Sequence, residues 1–188
     1  MKLVRFSQGA GPARAGVITG ERVIALDELV PEVPSDMCDI IADWDRLKTA
    51  VAQAATRAGV PLAEVTLQAP VPRPEKILAI GLNYADHIKE SGMDTPKEQV
   101  WFSKHINGIN GPFAPVEMPK ASEKLDYEVE LVAVIGKRGR HISRADAPSH
   151  GSATLSATMS AFATGSCARR NGRSASRSIR IARSAPRL

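Results

Sequence analysis

Two short windows of the sequence hold residue types that could do chemistry together. In DYEVELVAVIG, which starts at Asp126, Glu128 and Glu130 stand two apart in a β-prone run. Strand side chains alternate, so both carboxylates fall on one face, about 7 Å apart, together with Val132 and Val134. Tyr127, Val129, Leu131, Ala133 and Ile135 fall on the other. A run that is apolar on both sides at its far end predicts a strand buried on both faces, which sets the glutamates at the mouth of a core. Like charges there repel and lose hydration, and a hard cation with oxygen ligands offsets both costs. Mg²⁺, Mn²⁺ or Ca²⁺ fits that requirement; soft-ligand zinc does not. Spacing alone leaves a second reading open: an edge strand whose glutamates face water and discourage aggregation.

The second window is GLNYADHIKESG, starting at Gly81. Asn83 can cap a helix in which His87 and Glu90 are three apart, with Tyr84 a turn before His87 on the same side. A carboxylate beside an imidazole orients it, raises its proton affinity and makes a general base near neutral pH. An ordinary surface His and Glu on a polar helix is the alternative. His105 and His141 lie in polar loops without partners and receive no role.

These windows need elements to hold them. Leu3 to Phe6, Gly16 to Thr19 and Arg22 to Leu26 are β-prone runs separated by turn residues and predict a small meander. Between Asp36 and Arg57, Met37, Ile40, Ile41, Trp44, Leu47, Val51 and Ala54 recur at helical spacing, predicting one or two amphipathic helices packed on it. QAPVPRPE, from Gln68 to Glu75, carries three prolines and reads as a linker, so a boundary is expected near residue 72. Beyond it come strands at Ile77 to Ile80, Val100 to Ser103 and Asp126 to Ile135.

The 188 residues permit one substantial core or two small ones and contain no apolar stretch near the length of a membrane span. The net charge of +5 belongs to the tail: Pro148 to Leu188 holds seven Arg and no Lys, Asp or Glu, leaving residues 1–147 slightly acidic. A chain basic for nucleic-acid binding would show its patch within the folded part. Cys38 and Cys167 have no spacing that would hold zinc or form a redox pair, and both are expected to be inert. MKLVRFSQG follows a strand pattern without the apolar region of a signal peptide, so the expected compartment is the cytoplasm.

Taken together, GLNYADHIKESG, FSK at Phe102 to Lys104, Gly111-Pro112, and SEKLDYEVELVAVIGKRGR from Ser122 to Arg140 resemble the fumarylacetoacetate hydrolase family. The resemblance covers roughly residues 74–147, the opening part of that family's catalytic domain; residues 1–70 are similar to the smaller N-terminal domain of many members. It implies an α+β, β-rich fold: an incomplete mixed β-roll catalytic domain preceded by a small α/β domain. It also implies that Glu128 and Glu130 are metal ligands, that an aspartate further along completes the set, and that His87 with Glu90 activates water or shuttles the proton. The metal would be Mg²⁺ or Mn²⁺, with Ca²⁺ also suitable. The substrate would be a small oxo-acid such as an acylpyruvate or a fumarylacetoacetate-like diketo acid, cleaved at a C–C bond, isomerised or decarboxylated. A homodimer is implied on the same ground.

After Ala147 the resemblance stops. The Arg/Ser/Ala-rich residues 148–188 show no hydrophobic period that would fill a sheet and are expected to be disordered. They are also expected to be out of register. Joining the last base of one codon to the first two of the next, codons permitted by Thr158 to Ser166 can spell Asp-Val-Ser-Val-Arg-Asp-Trp-Gln. Ser174 onward to Pro186 can give Gly-Lys-Ser-Phe-Asp-Thr-His-Cys-Pro-Leu-Gly-Pro. Both strings follow the family's order, which points to a one-base register change near Asp146 to His150. Its cost would be the third metal ligand and the strands that pair with Leu131 to Ile135, leaving open sheet edges and exposed apolar faces, so the encoded chain is expected to fold poorly and be inactive. The competing functions are a basic-tailed nucleic-acid-binding protein, disfavoured by a tail whose single aromatic is Phe162, and a non-catalytic remnant that associates through an exposed sheet edge.

Overall fold

The computed structural model describes residues 2–54, 56–118, 120, 123–162 and 179–182. The chain opens with β1 (Lys2–Ser7), β2 (Arg14–Thr19) and β3 (Arg22–Ala25), the expected antiparallel meander. Then follow α1 (Leu26–Leu29), α2 (Met37–Ala42) and α3 (Trp44–Ala54), with Asp36 capping α2 by accepting from the Cys38 amide at 2.7 Å. Two short strands, β4 (Val60–Pro61) and β5 (Thr66–Gln68), extend the sheet to the order β4-β3-β2-β1-β5.

Both faces of this sheet are covered, and the period-2 pattern shows how. Val17 and Ile24 point into a cluster with Leu26, Leu29, Met37, Ile40, Leu47 and Val51 from the helices. Their strand neighbours Ile18, Val23 and Ala25 join Phe6 on the other face, under Leu62, Val65 and Leu67. Among the described residues every fully buried apolar side chain lies between Phe6 and Val51; further along the chain only Lys104 is buried.

After a stretch of bends come β6 (Ile77–Gly81), α4 (Ala85–Ser91), β7 (Val100–Lys104) and β8 (Ile109–Asn110). They are followed by β9 (Leu125–Ile135), α5 (Ala147–His150), β10 (Gly151–Phe162) and β11 (Ile179–Ala182). β6 and β7 pair antiparallel, and a second sheet runs β8-β11-β10-β9, with β9 at its end. The fold is mixed α+β and strand-rich.

Three expectations need correction. β9 is not buried on both faces: Tyr127, Val129, Leu131 and Ile135 are 68–74% exposed, whereas Glu128, Glu130, Val132 and Val134 are half-buried. Its sequence is that of a covered strand, but among the described residues one face is left open. The segment after Ala147 is not structureless, because α5 and β10 occupy residues 147–162 and β10 pairs along the whole of β9. The reason is legible in SATLSATMSAF, where Ala153, Leu155, Ala157, Met159 and Ala161 alternate strictly with Ser and Thr, a strand period. The proposed disorder of residues 163–178 and 183–188, and with it Cys167, lies outside the described residues. Third, Asn83 does not cap α4. Leu82 takes a left-handed φ of 53°, the helix starts three residues after it at Ala85, and Tyr84 occupies the cap position without a capping hydrogen bond from its side chain.

The first unit touches the second through charge. Lys137, just past β9, reaches Asp45 of α3 at 3.0 Å, and Lys48 reaches the same carboxylate at 2.8 Å. Lys48 first and Lys137 second hold Asp45 down at about 2, below its ordinary 3.8. A lowered carboxylate stabilises the fold fully above its ordinary value, and the contribution is lost as pH falls through 3.8 toward about 2. Lys137→Ala is expected to raise the Asp45 midpoint part of the way back, since Lys48 remains; an unchanged midpoint in a carboxyl NMR titration would break the assigned contact.

The exposed face of β9 makes a second expectation. Replacing Val129 and Leu131 by Thr empties no core, so stability should move by no more than about 0.5 kcal/mol per site while concentration-dependent association falls. Thermal unfolding and sedimentation at two concentrations measure the two, and a large loss of stability would mean that the face is covered.

Candidate functional site

The two windows meet. α4 and the start of β9 form the walls of an open 510 Å³ pocket lined by His87, Glu90 and Ser91 on one side and Asp126, Tyr127 and Glu128 on the other. Helical spacing puts His87 and Glu90 on the wall-facing side of α4, and Gly92, with a φ of 65° that glycine adopts without strain, ends the helix directly after Ser91. The strand is tied to the helix at Tyr84, whose hydroxyl oxygen accepts from the Leu131 amide at 3.1 Å.

Of the four residues expected to carry chemistry, His87, Glu90 and Glu128 line this pocket. Glu130 does not line it; it sits one step further along β9, half-buried in the same alternation. His87 and Glu90 are exposed and make no hydrogen bond or ion pair with each other among the described residues. Water competes for exposed partners, so the shared face brings the pair near without locking it.

Asp126 was missed. It lies in the same alternation as Glu128 and Glu130, giving an acid at every second residue, and the signal was present in the DYEVE string. Its Oδ1 accepts from the Tyr127 amide at 2.8 Å, which turns that oxygen toward the strand's own backbone. Among the described residues no three His, Cys, Asp or Glu side chains are grouped closely enough to hold a metal ion.

The donor set still suits a hard cation. Mg²⁺ or Mn²⁺ accepts one or two carboxylates and fills its other positions with water and substrate oxygens, and Glu128 and Glu130 are half-buried oxygen donors of that kind. Cys38 offers nothing here: burial first, then nearby Asp36, push its thiol up, as befits an inert cysteine. Arg180 falls within β11, and the other tail arginines lie outside the described residues. Among the described residues no helix is long and apolar enough to cross a membrane.

Comparison with known proteins gives two adjoining matches. Residues 76–153 match the family described as fumarylacetoacetate (FAA) hydrolase C-terminal, and residues 1–70 match Rv2993c-like, N-terminal. The mitochondrial oxaloacetate tautomerase FAHD2A of Bos taurus is 40% identical over 156 residues, covering 80% of this chain and 49% of its own length. The chain thus spans about half the length of the curated relatives it matches. A maleylpyruvate hydrolase from Sphingobium sp. SYK-6, solved in complex with manganese (II) ion and pyruvate, superposes with a TM-score of 0.75 at 27% identity, covering 96% of this chain and 65% of its own. A fumarylacetoacetate hydrolase from Exiguobacterium antarcticum superposes with a TM-score of 0.64 at 30% identity, over 86% of this chain and 56% of its own.

Proposed function

The chain belongs to the fumarylacetoacetate hydrolase family, and on that premise we propose that it carries the opening half of a divalent-metal-dependent enzyme acting on small oxo-acids of the acylpyruvate type. The observation that carries this reading is the pocket that joins His87 and Glu90 to Glu128. A structural neighbour that holds manganese and pyruvate supports both the metal and the substrate class. Hydrolysis of a C–C bond is the reaction proposed; tautomerisation or isomerisation would use the same groups, and relatives with such names exist.

In this reading Glu128 and Glu130 hold the cation. When bound, it supplies Lewis-acid polarisation of two neighbouring substrate oxygens, the charge stabilisation that an enolate requires. The neutral His87 imidazole takes a proton from water or from the substrate carbon, and the Glu90 carboxylate compensates the imidazolium that results. Tyr127 and Ser91 shape the remaining wall. The cytoplasm is the compartment proposed, beside relatives named mitochondrial, and subcellular fractionation decides between them.

The register change belongs to the same proposal. The junction of Thr158 and Met159, where the neighbouring frame permits an aspartate, lies on β10 opposite Val129 and Glu128. An aspartate there would stand beside the acidic end of β9, which is where a third ligand is wanted. The coding bases for codons 145–160 test this directly: a DVSxRDWQ-like string in the adjacent frame is expected, and its absence ends the idea.

For the frame-restored protein we expect Mn²⁺-dependent release of pyruvate from an acylpyruvate. His87→Ala should lower the rate by about 10²–10⁴-fold, the usual worth of a positioned general base. Glu128→Ala should abolish the metal-dependent turnover. Full activity in both variants would reject the assigned roles.

A further inference from the structure

The pocket has two walls from segments some forty residues apart, and a side-chain hydrogen bond ties them: the Leu131 amide donates to the Tyr84 hydroxyl at 3.1 Å. We propose that Tyr84 is a positioning residue that fixes the distance between the His87/Glu90 wall and the carboxylates of β9. The proposal rests on the metal reading of Glu128 and Glu130 and adds to it a residue that touches neither metal nor substrate.

The geometry supports this from both ends. Tyr84 immediately precedes α4, so its backbone moves with the first turn of the helix, and His87 and Glu90 follow three and six residues later. Leu131 follows Glu130 directly, so its backbone moves with the acidic stretch of β9. Successive amides of a strand point to opposite edges, and β9 is the end strand of its sheet, with β10 on its other side. Leu131 therefore spends its outward amide on the tyrosine. The carboxylates, with no strand beyond them, take their position relative to α4 from that bond.

Nothing else explains the tyrosine as well. It is 43% exposed, so its ring fills no core, and as the residue before α4 its side chain makes no capping hydrogen bond. A phenylalanine would keep the ring and lose only the acceptor.

The test uses the full chain with Tyr84→Phe and Mn²⁺ as the probe. Hydrogen exchange at the Leu131 amide should quicken about two- to tenfold, the range expected for one net hydrogen bond, while amides of β1 to β3 keep their rates. Mn²⁺ broadens nearby nuclei steeply with distance, so the His87 ring resonances, broadened in the wild type, should sharpen in the variant at equal metal occupancy. A structural role alone would not sharpen His87 selectively. Unchanged Leu131 exchange, or equal broadening of His87 in both proteins, overturns the proposal. Absence of Mn²⁺ broadening in both the wild type and the frame-restored protein sinks the metal reading instead, and Leu131 exchange then decides on the tether by itself.

Discussion

Two carboxylates on one face of a strand repel each other, and the site in this chain is organised around how that repulsion is relieved. Glu128 and Glu130 are half-buried, and Asp126 adds a third acid in the same alternation. Neither glutamate carboxylate has a side-chain hydrogen bond or an ion pair among the described residues, and no lysine or arginine lines the pocket. Burying unpaired like charges is costly, so such an arrangement is stable where water reaches it or where a cation sits between the acids. The pocket's openness supplies the first and its oxygen-only acids invite the second.

The two units of the chain differ in how complete they are, and this bears on the site. In the first, alternating strand residues find helices or a short crossing segment on both faces, so Val17 and Ile24 are closed on one side and Ile18 and Val23 on the other. In the second, β9 has the composition of a doubly covered strand but only one covered face. The solved maleylpyruvate hydrolase devotes about a third of its length to polypeptide that this chain does not match. Lys104 is the exception: a buried cation at the end of β7, its Nζ 5.7 Å from the centre of the Phe102 ring, in a region otherwise half-open.

What could be read from the sequence followed the range over which each feature is determined. The meander, the two amphipathic helices and the shared face of His87 and Glu90 depend on neighbours a few residues away, and pattern alone found them. The same holds for the strand that carries Glu128 and Glu130. Burial of that strand depends on what packs on it, which no local pattern contains, and it came out wrong on one face. The cap at Asn83 failed because Leu82 turns left-handed, a backbone choice unexpected for leucine. β10 is legible in the Ser/Thr against Ala/Leu/Met alternation, which the Arg/Ser/Ala-rich composition of residues 148–188 as a whole conceals. Asp126 was overlooked because the ExE pair looked complete without it.

The position opposite Glu128 decides what kind of site this can be. In the present chain that position is Met159. A thioether is a soft, weak donor that suits a hard divalent cation poorly, so a cation site here would rest on the carboxylates of β9. A carboxylate there would complete a two-strand site but would also add one more negative charge to a crowded face. That pairing of β9 with β10 would be favourable only with the cation in place, which makes metal binding part of the folding free energy instead of a later event. With methionine at that sequence position no further charge is added, so β9 and β10 can pair without a metal ion.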